Sequence, residues 1–199
     1  EMLDNAFRSG SVFYNQGNAW MQAGETGRAI AAYRQAKRYL PRDPYLDANL
    51  RTVLAGAQLQ PDRSLLDYVF FWQAAVSYSE KLIITTVLLA IVLLFAVAYQ
   101  LNRQRIAIKR TMYAFLMLLI LSGAAVGRDW QKYEKTVRGV MTTESTARKG
   151  DSETYEPAFT QALSDGTEFE VITRRNAWIH ARFGQTGTGW ISSRDCVTY

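Results

Sequence analysis

The sequence predicts a multi-domain membrane protein: an all-α helical-repeat unit, then a two-helix transmembrane hairpin, then an all-β small barrel. Three observations carry this. Two uncharged apolar runs, 82–99 and 111–127, are joined by a short basic stretch. Residues 10–60 carry apolar and small side chains at helical spacing. From Val140 onward Gly, Ser and Thr increase, and short alternating runs replace the longer periodic ones. The expected divisions are 1–60 for the helical unit with its capping helix, 61–81 for an aromatic-rich interfacial helix, and 82–101 for the first span. A basic loop at 102–110, a second span at 111–127, a linker at 128–139 and the β domain at 140–199 complete the chain.

Charge and composition exclude several classes. The 199 residues hold 23 Lys+Arg against 18 Asp+Glu, a net +5. Residues 102–110 contain Arg103, Arg105, Lys109 and Arg110 and no acid, so most of the excess sits in one short stretch. No domain face is strongly basic, which argues against nucleic acid as a partner. One cysteine, Cys196, allows no internal disulfide, and one histidine, His180, argues against a His-rich metal site or Ser-His-Asp machinery. No metal, cofactor or catalytic constellation is expected, and the chain reads as non-enzymatic.

In the helical unit, Gly17, Trp20, Gly24, Ala29, Tyr33, Ala36 and Pro41 stand in one register. Gly17 and Ala29 let two helices approach, Trp20 and Tyr33 fill the space between layers, Gly24 precedes the turn, and Pro41 stops the second helix. Residues 10–43 thereby resemble the 34-residue tetratricopeptide repeat (TPR). Pro44 starts a further helix striped by Leu46, Leu50, Val53 and Leu54. One complete repeat is marginal without support, and the expected support is the membrane segment or a partner protein. The resemblance implies a peptide groove lined by Tyr14, Asn18, Met21 and Gln22, with Asn49 on the next helix. Asn18 and Asn49 fall where the family places asparagines that clamp a peptide backbone; the alternative is that they are solvated or cap helices. Tyr14 replaces the lysine of carboxylate-clamp versions, which argues against recognition of a C-terminal carboxylate.

The run 82–99 would make a helix of about 27 Å, near the ~30 Å of a bilayer core. The run 111–127 has Arg110 and Arg128 at its ends, and Ser122, Gly123, Ala124, Ala125 and Gly127 suit close helix–helix contact. Arg103, Arg105, Lys109 and Arg110 between the spans hold that loop in the cytoplasm and place both flanking segments outside. Tyr68, Phe70, Phe71, Trp72 and Tyr78 before the first span, and Trp130 and Tyr133 after the second, suit the outer headgroup boundary. Residues 64–79 are expected either as an amphipathic helix on the outer leaflet or as a helix against the N-terminal unit.

The β domain begins near Val140. Residues 166–172 read as a turn and strand, 177–183 as an alternating strand, 184–191 as a glycine turn and strand, and 196–199 as a closing strand. Ala147-Arg148-Lys149-Gly150, Gly166-Thr167, the Trp178 strand and Gly189-Trp190-Ile191 resemble the bacterial SH3 family. That resemblance implies recognition of peptides or cell-wall peptides through exposed aromatics, here Tyr155, Trp178 and Trp190. The alternative makes Trp178 and Trp190 barrel core, expected for at least one of them. His180 is read as a surface or packing residue and Cys196 as a buried small hydrophobe; a redox role would need a second chain's cysteine.

A TPR unit, an aromatic segment, a two-helix hairpin and an SH3 domain, in this order, resemble the BatE-like proteins of the Bacteroides aerotolerance (Bat) operons. The stretch from Ser11 to Leu50 and the segment from Phe70 to Lys81 carry the likeness. It implies a scaffold in the bacterial inner membrane with both terminal modules periplasmic. It further implies Bat-type partners with von Willebrand factor A domains, a MoxR-type AAA+ ATPase, and a role in envelope stress or client maturation. The alternative is a peptidoglycan tether. A chain that begins at Glu1 reads as processed or trimmed.

Overall fold

The computed structural model describes residues 9–57, 75–102, 105–131, 135–184 and 186–199. The expectations for Tyr68, Phe70, Phe71, Trp72, Arg103 and Tyr133, and most of the interfacial segment, fall outside these residues. The chain divides into two compact units. One joins the N-terminal helices to the C-terminal sheet; the other is the pair of apolar helices.

In the first unit, α1 spans Gly10–Gln22 and starts where the Ser9 hydroxyl accepts the Val12 N–H at 3.2 Å. Gly24, at φ +78°, ends it. The amides of Gly24 and Glu25 donate to the carbonyls of Met21 and Trp20, satisfying the helix end and turning the chain into α2, Thr26–Tyr39. Helix α3, Pro44–Gly56, begins with proline in its first turn, and Asp43 accepts the N–H groups of Tyr45 and Leu46. Tyr33, Ile30, Ala29, Ala36 and Leu46 are fully buried between these helices. A Cβ on Gly17 would lie 2.5 Å from the Tyr33 ring, so the α1–α2 approach requires glycine there.

Five antiparallel strands follow: β1 Arg138–Met141, β2 Glu168–Arg175, β3 Trp178–Phe183, β4 Gly187–Ser192 and β5 Cys196–Thr198, in spatial order β4-β3-β2-β1-β5. The outer edge of β4 is met by the segment after β1, where Arg148 and Trp190 exchange two backbone bonds of 2.8 Å. Met141, Phe169, Ile179, Ala181, Phe183 and Ile191 fill the inner face.

The outer face is shared between helix and solvent. On β1, on β5 and just past its end it presents Val140, Val197 and Tyr199, which pack into the helical core. Helix α2 lies close enough that a Cβ on Gly27 would be 2.0 Å from the Met141 carbonyl oxygen. Asp165, in the β region, accepts the Gly27 N–H at 3.0 Å and so caps α2 from 138 residues away. Arg34 of α2 makes a two-pronged pair with Glu168 of β2, both contacts 2.7 Å. The sequence reading separated 1–60 from 140–199 and sought support for the helices in the membrane or a partner. The structure supplies that support from the chain's own sheet.

In the second unit, α4 spans Tyr78–Leu101 and α5 Ile106–Trp130, about 36 and 37 Å long. Both are long and apolar enough to cross a membrane. They outrun the apolar runs at both ends. Helix α4 starts early because Ser77 and Glu80 cap each other, and α5 starts within the stretch expected as loop, taking in Lys109 and Arg110. Three contacts register the pair. Phe95 stacks on Phe115 with centroids 5.6 Å apart. The Thr85 hydroxyl gives its proton to the Lys81 carbonyl at 2.8 Å, so Ser122 donates to Thr85 at 2.6 Å. Lys81 pairs with Asp129 at 2.6 Å, each under 10% exposed. Of the small residues expected between the helices, Ser122 and Ala125 face α4. Gly123 and Gly127 do not: no atom lies within 4 Å of a Cβ built on either. Residues 122, 125 and 129 share one helical face, and 123 and 127 fall on another.

Two predictions follow from this packing. Gly27→Ala is expected to cost about 3 kcal/mol by driving α2 off the sheet, a drop of roughly 10 °C in the thermal midpoint of the detergent-solubilised chain. Gly56→Ala, with open space around it, serves as the tolerated control. For the hairpin, Asp129→Ala should cost about 3 kcal/mol or more by stranding Lys81, measured by denaturant titration in detergent. The exchange Lys81→Asp/Asp129→Lys should recover most of it, because each charge then sits at the helix end that favours it. An exchange as damaging as Asp129→Ala would show that the pair contributes nothing specific.

Candidate functional site

Two surfaces gather the residues singled out from the sequence. The first lies where α1, α2 and α3 meet. Tyr14 and Asn18 are one turn apart on α1, Asn49 comes from α3, and Tyr33 rises from α2 beneath them. The Tyr33 hydroxyl donates to Asn18 Oδ1 at 2.8 Å and also lies 3.6 Å from the Met21 sulfur. Asn49 Nδ2 donates to the same Asn18 oxygen at 2.9 Å and to the Tyr14 hydroxyl at 3.2 Å. Burial pushes the Tyr33 phenol above its ordinary value, so it stays a donor at neutral pH. These bonds use Asn18 Oδ1 and Asn49 Nδ2. The Asn18 Nδ2 and the Asn49 Oδ1 have no partner among the described residues. One amide donor and one carbonyl acceptor are thus held in place by an internal network. Gln22 is exposed at the end of the same helix and takes no part in it.

The second surface is the part of the sheet's outer face that α2 leaves uncovered. Strand alternation places Trp178, His180 and Arg182 opposite the buried Ile179, Ala181 and Phe183. On β4, Gly189 and Ile191 point inward, so Trp190 points outward. The expectation of at least one core tryptophan is therefore corrected: both lie half-buried on the outer face. The core needs no indole, since Phe169 and Phe183 fill it ring to ring at 5.6 Å. Trp190 is not a bare platform. His180, its cross-strand neighbour, stacks on it at 4.9 Å, and the Arg175 guanidinium lies 5.5 Å from its centroid. Arg175 is in turn 3.1 Å from Asp151. Tyr155 is half exposed, with its ring over Gly150, where a Cβ would meet it at 2.6 Å.

Cys196 is half-buried on β5. Burial, with Asp195 adding, pushes its thiol up to about 11. It stays protonated at neutral pH and is a poor nucleophile. Among the described residues no three His, Cys, Asp or Glu side chains gather as metal ligands. Arg105, Lys109 and Arg110 lie exposed at the start of α5.

Sequence reasoning missed Asp165, Glu168 and Arg34, which join the helices to the sheet. Asp-Gly at 165–166 signals a turn, and nothing local marks its carboxylate as the cap of a distant helix. Compared with protein families, curated proteins and solved structures, the chain finds no match.

Proposed function

We propose that this chain is a non-enzymatic, two-span membrane scaffold whose TPR-like helices and SH3-like β region grip partner proteins on the periplasmic side of a bacterial inner membrane. The observation that carries the reading is the Asn18–Asn49 pair. A peptide backbone offers a carbonyl and an N–H per residue, and the unpaired Asn18 amide and Asn49 carbonyl match that alternation. A clamp held by Tyr14 and Tyr33 loses little side-chain freedom on binding, which favours affinity. The two-span reading is supported by the packing of the N-terminal helices on the C-terminal sheet. Segments that share one core lie on one side of a membrane, so the chain between them crosses an even number of times. Arg105, Lys109 and Arg110 favour the cytoplasm for the turn. Following the Bat resemblance, the partners are Bat-type membrane proteins with von Willebrand factor A domains, linked to a MoxR-type AAA+ ATPase in envelope stress tolerance or client maturation.

The test is co-purification in mild detergent with the neighbouring operon proteins present. Partners are expected to elute with the chain, and Asn18→Ala/Asn49→Ala should reduce their recovery about tenfold or more while tryptophan fluorescence still reports a cooperative melt. Recovery of the chain alone would sink the proposal. A second reading, a peptidoglycan tether, is favoured by Trp178 and Trp190 on the open face. It expects saturable binding to purified sacculi that falls in Trp178→Ala. Sedimentation without binding would dispose of it.

A further inference from the structure

The seam between helices and sheet leaves a cleft of about 310 Å³. Gln16 and Trp20 of α1 and Arg28 and Gln35 of α2 form one wall, and Arg194 and Cys196, from the β4–β5 turn and β5, form the other. Gln16 and Trp20 stand on a different stripe of α1 from Tyr14 and Asn18, so this surface is separate from the asparagine pair.

The charge of the cleft is one-sided. Its lining contains two guanidinium groups and no carboxylate. Arg28 lies with its guanidinium 4.9 Å from the Trp20 ring centroid, which steadies it. Its nearest acid, Glu25, is 3.8 Å away with both side chains about half exposed, a weak pair in water. Arg194's side chain has no hydrogen-bond or ion-pair partner among the described residues. Asp195, next to it in the chain, is engaged elsewhere, accepting the Ser145 hydroxyl at 2.6 Å. The protonated Cys196 thiol adds no negative charge. Gln16 and Gln35 add neutral amide donors, and small alanines between them leave room for a side chain to enter.

We propose that this cleft receives the acidic side chains of an extended partner peptide. Guanidinium groups pair with carboxylates through two parallel N–H donors, and the Trp20 ring gives the peptide's aliphatic stem an apolar wall. The volume suits one or two side chains, not a folded domain. The site exists only when α1 and α2 lie on the sheet, so it belongs to the assembled unit and to neither half.

The test uses the full chain in detergent and a fluorescein-labelled hexaglutamate peptide, read by anisotropy. Saturable binding that weakens with salt is expected, with hexaglutamine giving none. Arg28→Glu and Arg194→Glu should each weaken it about tenfold or more, with the melting midpoint unchanged. Asn18→Ala/Asn49→Ala should leave it intact, so failure here and failure of the scaffold reading are distinguishable. Equal affinity for hexaglutamine would overturn the proposal. So would binding that survives Arg28→Glu/Arg194→Glu but disappears in Lys109→Gln/Arg110→Gln, which would assign the peptide to the basic turn.

Discussion

Everything in the larger unit depends on how closely α2 lies on β1. The backbone at residue 27 sits against the Met141 carbonyl, at a separation no side chain could occupy. That approach lets Val140, Val197 and Tyr199 enter the helical core. It also brings the α2 N-terminus within reach of Asp165. Burial pushes the Asp165 carboxyl above its ordinary value, opposed by N–H bonds from Gly27 and Gly166. The folded state therefore holds this proton more firmly than the unfolded chain does. Its titration favours folding at acid pH, and that contribution declines as pH rises through the folded value. At neutral pH the cap works against a desolvation cost, and apolar packing around it carries the balance.

The same interface explains why three short helices suffice. Helices α1 and α2 bury Tyr33 and Ile30 between them, and α3 covers one side with Leu46, Leu50 and Val53. The remaining side would expose Ala31, Ala32 and Arg34. The sheet takes it, with Arg34 answered by Glu168 and the Tyr199 hydroxyl 3.4 Å from the same carboxylate. Burial pushes the Tyr199 phenol far up, with Glu168 adding, so it remains a donor.

Much of this was legible in the chain, and the limits have physical causes. The helices at 10–39, the Pro44 start, both apolar helices and strands β2 to β5 announce themselves locally, through periodicity, caps and turn residues. Strand β1, Arg138–Met141, does not, and half of it falls in the stretch 128–139 expected as linker. Gly17 and Ala29 indicate a close helix approach, and the structure shows that the residue lying against Gly17 is Tyr33, which the sequence marks only as filler between layers. The seam was not legible, because Gly27–Met141 and Arg34–Glu168 join residues more than a hundred positions apart. The Asn18–Asn49 contact was half legible. Their positions suggested one surface, but the shared Asn18 oxygen depends on Tyr33 reaching it from a third helix. The orientation of Trp178 and Trp190 was available from strand parity. Once Ile179 and Ile191 are inward, both indoles are outward, and the hydrophobicity of tryptophan obscured that simpler rule.

The hairpin poses a problem that only pairing resolves. Lys81 lies in the first turn of α4, where the helix dipole repels a cation, and Asp129 in the last turn of α5, where it repels an anion. Either charge alone would be worse placed than a neutral residue, and burial raises the cost further. Together, at 2.6 Å, each offsets the other's burial and dipole penalty. The partnership holds only when α4 and α5 are antiparallel with these two turns level. A slip of one residue would rotate each side chain by about 100° and part the charges. Thr85–Ser122, one turn inward on α4 and two turns inward on α5, adds a neutral contact along the same seam. Two apolar helices in lipid have little to prefer one alignment over another, since dispersion contacts are similar at many offsets. An ion pair unfavourable in any other register supplies the preference, which makes its role specificity of alignment more than strength of association.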